Sequence, residues 1–155
     1  MNSIQIIQAE KENLESIALL FNQYMIFYDQ PSNKSVYKAY LKERMQNKET
    51  VIFLALDNAK LPLGFVLNYY SFSSVSLGRT IILNDLYVDQ NHRNKGIGEQ
   101  LIKRVFDFAK NTNALRVDLE TGIDNKTAQG LYERIGFKKD KNALLYSYSE
   151  TVAKG

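Results

Sequence analysis

The sequence predicts an α/β (mixed α+β) chain: a central mixed, mostly antiparallel twisted sheet flanked by about four helices. Three observations predict it. Short runs rich in β-branched, aromatic and leucine residues alternate with apolar stripes of helical period. Two of the runs, Val51 to Leu56 and Leu63 to Phe72, are joined by the turn-like Asp57-Asn58-Ala59-Lys60, as hairpin partners are. A later pair is separated by a whole helix, which is how parallel strands connect.

The elements follow in order. Ser3 to Gln8 alternates as a short first strand. Glu10 to Asp29 spaces Leu14, Ile17, Ala18, Phe21, Tyr24, Met25 and Tyr28 along one helix face, and Pro31 closes that helix. Lys34 to Gln46 is a more polar helix with Val36, Tyr40, Leu41 and Met45 inward. After the hairpin, the serine-rich Ser71 to Gly78 makes a second turn into a strand over Ile81 to Asp89. Ile97, Leu101, Val105 and Phe108, with Ile102, Phe106 and Ala109, then form a mostly buried helix. Ala114 to Thr121 alternates Leu115, Val117 and Leu119 with Arg116, Asp118 and Glu120, completing a right-handed strand-helix-strand unit. Asp124 to Ile135 is the last helix, with Gly136 suited to an αL C-cap. Leu144 to Tyr148 reads as the closing strand, and its exposed edge invites a homodimer.

With 155 residues, 45% of them hydrophobic, the chain suits a single domain over 1–155 with one core. Its charges are interspersed and sum to only +3, which implies no nucleic-acid surface. The absence of cysteine excludes disulfides, thiolate metal sites and a cysteinyl-acyl intermediate. No apolar stretch approaches the roughly 18 residues of a membrane span and no signal peptide is seen, so no membrane partner and a cytoplasmic location are expected. His92 is the only histidine, so neither a metal site nor a Ser-His pair is supported.

Arg93-Asn94-Lys95-Gly96-Ile97-Gly98 lies between a strand and a helix start. Unpaired N–H groups and the positive end of the helix dipole converge at such a place, and glycines let an anion approach the backbone. The pattern is no dinucleotide fingerprint, because Leu101 stands where a third glycine belongs, and no Gly-Lys-Ser/Thr follows as in an ATP-type loop. It is either a phosphate-gripping turn with Arg93 and Lys95 as mobile cations or a plain tight connection.

Two motifs weigh on that choice. One is Leu83-Asn84-Asp85-Leu86-Tyr87-Val88 running into Arg93-x-x-Gly96-x-Gly98; the other is Asp124-Asn125-x-x-Ala128-x-x-Leu131-Tyr132-x-x-x-Gly136-Phe137. Together with the element order, from Ile4 to Tyr148, they resemble the GNAT superfamily of acetyl-CoA-dependent N-acetyltransferases. The resemblance implies a splayed parallel pair of strands in the middle of the sheet. The backbone of Leu86, Tyr87 and Val88 would pair with the pantetheine arm, and an N–H near Tyr87 would face the thioester carbonyl. The diphosphate would rest on Arg93, Asn94, Lys95, Gly96, Ile97 and Gly98. Asn125 would hydrogen-bond the arm beside Ala128, and the Tyr132 phenol would protonate the departing thiolate.

An amine with a pKa of about 10.4 is only ~0.1% neutral at physiological pH, so a group must take its proton. Diamine acetyltransferases of this superfamily typically carry glutamate where this chain has Asn84, and asparagine is no base. Asp85, Glu120 or a water wired to them remain. Strand alternation sets Asn84 and Asp85 on opposite faces unless a bulge intervenes. Tyr24, Tyr28 and Asp29 at the end of the first helix, with Asn84, Tyr69, Tyr70 and Phe72 on strands, compose a candidate aromatic slot for a cation. The expected activity is acetyl transfer by direct attack in a ternary complex to a small primary amine, polyamine-like or amino-acid-like. A protein lysine or N-terminal acetyltransferase and a non-catalytic CoA-binding module are the alternatives.

Overall fold

A short strand, β1 (Gln5–Gln8), pairs antiparallel with β2 (Thr50–Leu56), a strand buried along almost its whole length. The computed structural model describes residues 3–150, which fall into two compact units, one ending at Glu120 and one beginning at Thr121. In the first unit, α1 (Leu14–Phe27) starts later than its apolar stripe suggested. Glu10 and Asn13 exchange side-chain hydrogen bonds in a capping box around a 3-10 turn, Lys11–Asn13, which satisfies the donors that a helix start leaves bare. The second helix, α2 (Lys34–Gln46), is capped by Asn33 Oδ1, which accepts from Val36 N.

Two long strands, β3 (Pro62–Ser73) and β4 (Gly78–Val88), continue the antiparallel meander. The chain then crosses through α3 (Ile97–Asn111) to β5 (Val117–Asp118), which pairs parallel with β4. Sheet order is β1-β2-β3-β4-β5. In the second unit, α4 (Lys126–Ile135) ends at Gly136, whose φ of 130° lies beyond the αL basin and suits glycine alone.

Two strand expectations shorten or fail. The parallel ladder holds only Ile81↔Val117 and Ile82↔Asp118, so the strand expected over Ala114 to Thr121 is two residues long. Leu144 to Tyr148 forms no strand, and its side chains are exposed, including Leu144, Leu145, Tyr146 and Tyr148. Alternation describes two faces but supplies no partner for the backbone, and a ladder needs one. The strand-edge basis for a homodimer is therefore absent, and β5 is the last strand in the order. Among the described residues, no helix is long and apolar enough to cross a membrane.

The sheet is covered on both sides. Leu14, Ile17, Ala18, Leu20 and Phe21 of α1 and Leu41 of α2 cluster with Ile52, Leu54, Leu56, Phe65, Leu67 and Tyr87 of the sheet. On α3, Ile97, Leu101, Ile102 and Val105 are buried, and Phe108 meets Phe53 edge-on at 5.6 Å. Gly64 lets β3 and β4 close together at one end. A Cβ there would stand 2.7 Å from the Tyr87 carbonyl and 3.2 Å from Val88 Cα, both backbone atoms with no room to yield. Gly64→Ala is expected to lower stability by about 1–3 kcal/mol through overpacking. Urea unfolding checks this, and an unchanged midpoint would show that the strands are not pressed together there.

Candidate active site

Asn84 is an extra residue in β4. Leu67 pairs with Asp85 while Asn68 pairs with Leu83, so Asn84 bulges out of the ladder. Before the bulge, Ile81 and Leu83 stand opposite Tyr70 and Asn68; the Tyr70 ring lies 6.4 Å from Phe108, which marks this as the α3 face. Regular alternation would send Asp85 to that face as well. The bulge inverts the parity. Asp85 opposite Leu67, and Tyr87 opposite Phe65, turn to α1, where Tyr24 Oη donates to Asp85 Oδ1 at 2.7 Å. Asn84 Nδ2 donates to Asp85 Oδ2 at 2.9 Å, so the two neighbours meet at one place rather than on opposite faces.

Aromatic side chains surround this carboxylate. The Tyr24 ring lies 5.0 Å from Tyr28 and 5.9 Å from both Phe65 and Tyr87, and Tyr87 Oη donates to Gln23 Oε1 at 3.3 Å. Across the same face, the Tyr40 and Tyr69 hydroxyls share a 2.6 Å hydrogen bond. Burial, then the Tyr40 bond and the Asp85 charge, push the Tyr69 hydroxyl far above the ordinary tyrosine range against an opposing pull from Arg44. Burial also raises Tyr87, with Arg93 acting the other way.

Other expected slot residues are placed elsewhere. Tyr70 is on the α3 face, covered by the Arg79 guanidinium at 4.7 Å, because its neighbour Tyr69 takes the α1 side. Phe72 is 73% exposed near the hairpin tip, with Arg79 at 5.7 Å. Asp29 is exposed in the turn after α1 with a left-handed φ of 60°. Glu120 is exposed beyond β5, and no hydrogen bond or ion pair among the described residues joins it to Asp85. Sequence reasoning named a bulge as the condition for bringing Asn84 and Asp85 together without locating it, and it missed Gln23 and the reach of Tyr40 to Tyr69. A signal for the bulge was present: two consecutive polar residues, Asn84-Asp85, interrupt an otherwise apolar strand.

The outer edge of β4 is set by hydrogen-bond parity. Asp89 N donates to Leu63 O at 2.8 Å, so the directly opposed pair Tyr87 and Phe65, two steps along, bonds inward. The N–H and C=O of Leu86 and Val88 then point away from β3, beyond the place where the β4–β5 ladder stops. Arg93 reaches one of them: its Nε donates to Val88 O at 3.0 Å, with its guanidinium 5.2 Å from the Phe27 ring and 5.5 Å from Tyr87. The expected mobile cation is thus held by the protein.

The turn that follows fits an anion. Asn94 at φ 63° and Gly96 at φ 77° place two left-handed residues in the tight turn just before α3, whose N-cap makes no side-chain hydrogen bond. A Cβ on Gly96 would meet nothing within 4 Å and one on Gly98 only ordinary contacts at 3.9 Å. Internal crowding therefore does not require these glycines. Lys95 is exposed beside them, and the Glu99 carboxylate in the same helical turn accepts from Lys103 Nζ at 3.2 Å. Within the second unit, Asn125 Oδ1 caps α4 by accepting from Ala128 N at 3.1 Å, and the Tyr132 ring meets Phe137 edge-on at 5.8 Å.

A meander closed by one parallel crossover, with backbone groups turned outward at the far end of β4 and a glycine turn beyond it, defines a class. The chain belongs to the acetyltransferase (GNAT) family, which it matches over residues 14–137, and it is an N-acetyltransferase, moving an acetyl group to an amine. It is 40% identical over 143 residues to the uncharacterized N-acetyltransferase YhfO of Bacillus subtilis, covering 92% of this chain and 95% of that protein. The crystal structure of a probable acetyltransferase superposes with a TM-score of 0.89 at 38% identity, over 94% of this chain and 97% of the other. The aminoglycoside N-acetyltransferase AAC(6')-Iy in complex with CoA shares the fold, with a TM-score of 0.79 at 20% identity over 96% of each chain.

The raised Tyr69 hydroxyl has a pH consequence. Its folded value exceeds the unfolded value of about 10, so its contribution to stability is full below about pH 10 and is lost as pH rises through the folded value. Urea unfolding across the alkaline range should show a smaller loss for Tyr69→Phe than for the parent chain. Tyrosinate absorbance should likewise lose one late-ionising group of the ten tyrosines. Parallel alkaline losses in the two proteins would contradict the assignment.

Proposed function

We propose that the chain uses acetyl-CoA as cosubstrate and transfers its acetyl group to a primary amine of a small cationic molecule by direct attack within a ternary complex. The single observation that carries this reading is the Asp85 carboxylate, turned to the aromatic face by the Asn84 bulge and held by Tyr24 at 2.7 Å and by Asn84 at 2.9 Å. Each carboxylate oxygen keeps a lone pair beyond the bond it already accepts. Asp85 therefore has capacity to bind an ammonium and, directly or through a water, to take the proton that the amine must lose before it attacks. The amine nitrogen then forms its bond to the thioester carbonyl carbon, the carbon–sulfur bond breaks, and the departing thiolate takes up a proton.

For the cosubstrate, the outward amides of Leu86 and Val88 suit an amide-bearing arm, and the bare turn at Asn94 to Gly98 suits a diphosphate. AAC(6')-Iy, of similar fold, is a precedent with CoA bound. Tyr132 is assigned the acid because it occupies the phenol position of the second motif, and Glu120, away from the hydrogen-bonded cluster, ranks behind Asp85 as the base.

Free-thiol release from acetyl-CoA over a panel of small amines and lysine- or N-terminal peptides tests the reading. Release with small amines is expected; release with peptides alone would move the assignment to a protein acetyltransferase, and CoA binding without any release to a non-catalytic module. Tyr132→Phe is expected to lower turnover by ~10²-fold while CoA affinity, measured by calorimetry, stays nearly intact. Unchanged turnover would remove Tyr132 as the acid. Asp85→Asn should depress kcat/KM by at least ~10²-fold; turnover close to that of the parent chain would place the base elsewhere.

A further inference from the structure

The charges around Asp85 carry information about the acceptor. Asp85 is the carboxylate of a hydrogen-bonded cluster that also holds the Tyr24 hydroxyl and the Asn84 amide. The walls are aromatic and neutral: Tyr28, Tyr87 and the linked Tyr40 and Tyr69, whose shared 2.6 Å hydrogen bond ties α2 to β3. Burial favours the protonated hydroxyls of Tyr69 and Tyr87, so neither supplies negative charge at neutral pH.

Nearby acids are already committed. Glu43 and Glu49 bind Arg44 at 2.9 Å and 3.0 Å, and Asp89 accepts from Asn91 N at 2.9 Å and faces His92 at 3.5 Å. Asp29 is solvent-exposed, where water screens its charge. The aromatic wall also carries guanidinium groups. Arg44, 5.0 Å from the Tyr40 ring, is compensated by its two glutamates, whereas the guanidinium of Arg93 lies 5.2 Å from Phe27 and 5.5 Å from Tyr87. The faces of Phe27 and Tyr87 that would attract a second ammonium are therefore engaged by a group that repels it.

We infer that the acceptor is a singly charged primary amine with an apolar or aromatic body, selected against diamines, polyamines and aminoglycosides by the single carboxylate of the Asp85 cluster and the Arg93 guanidinium against the aromatic wall. The inference rests on the transferase reading above and narrows it to a substrate class. One ammonium finds a carboxylate, while a second would lose water without gaining a counter-charge. The aromatic rings match an apolar body, and Asn84 in place of an acid keeps the count at one.

The test compares amines of different charge, with pentylamine and 1,5-diaminopentane matched in carbon-chain length. Thiol release from acetyl-CoA is followed with pentylamine, phenethylamine, 1,5-diaminopentane and spermidine, for the parent chain and for Asn84→Glu, which adds a second carboxylate at the bulge. The monoamines are expected to exceed 1,5-diaminopentane in kcat/KM by at least about tenfold. Asn84→Glu should shrink or reverse that ratio. A diamine or spermidine used as well as pentylamine by the parent chain overturns the charge argument and leaves the transferase reading standing. No release with any small amine overturns both. If Asn84→Glu does not fold, the parent series alone decides.

Discussion

One residue too many in β4 decides which side chains meet beside α1. Alternation in a strand is a strict parity, and without an interruption the residue after Asn84 would share the α3 face with Ile81 and Leu83. The bulge changes that parity once and for all downstream residues. It brings a carboxylate to Tyr24, a phenol to Gln23, and leaves Leu86 and Val88 pointing their backbone groups away from β3. Acid, aromatic wall and edge amides are consequences of a single insertion, and no substitution of one of them alone would reproduce the arrangement.

The sheet gives this arrangement its precision. Gly64 presses β3 against the end of β4, and the large residues Phe65 and Leu67, fully buried, fix the strand on which Asp85 and Tyr87 are registered. Groups set on strands are held more tightly than groups on loops. The two faces divide the work: aliphatic side chains of α3 fill one side, while α1 and α2 bring hydroxyl-bearing rings to the other. A hydroxyl on a ring packed against the sheet is best placed where it finds a partner, and the half-buried Tyr24 and Tyr69, the exposed Tyr40 and the buried Tyr87 each have one.

Period and turn chemistry made most of the frame legible. The range of α2 was readable to the residue, and the hairpin and the crossover helix followed from their flanking turns. The glycine turn was legible as a sharp strand-to-helix connection because its requirement is local: a left-handed φ that Gly96 adopts without strain. Failures came where a local pattern stood in for a distant partner. Leu144 to Tyr148 alternates yet has no ladder, and Tyr70 was set beside Tyr24 although adjacent strand residues face opposite ways. Arg93 was read as mobile because nothing in sequence reveals the Val88 carbonyl and the two rings that hold it. Family resemblance supplied the role of Tyr132, which no spacing argument yields.

The choice of tyrosine around Asp85 has its own logic. A hydroxyl donates to a carboxylate as an amine does, so Tyr24 can hold Asp85 oriented without neutralising it, where a lysine would form an ion pair and remove the charge an acceptor needs. Phenols whose ionisation is driven upward by burial, as at Tyr69 and Tyr87, then keep the wall neutral over the pH range in which a carboxylate is charged. On the proposed reading, the contrast between one fixed negative group and neutral surroundings would make the net charge of the incoming amine, more than its length, the property this face measures, because each added ammonium must leave water beside rings that Arg93 already occupies.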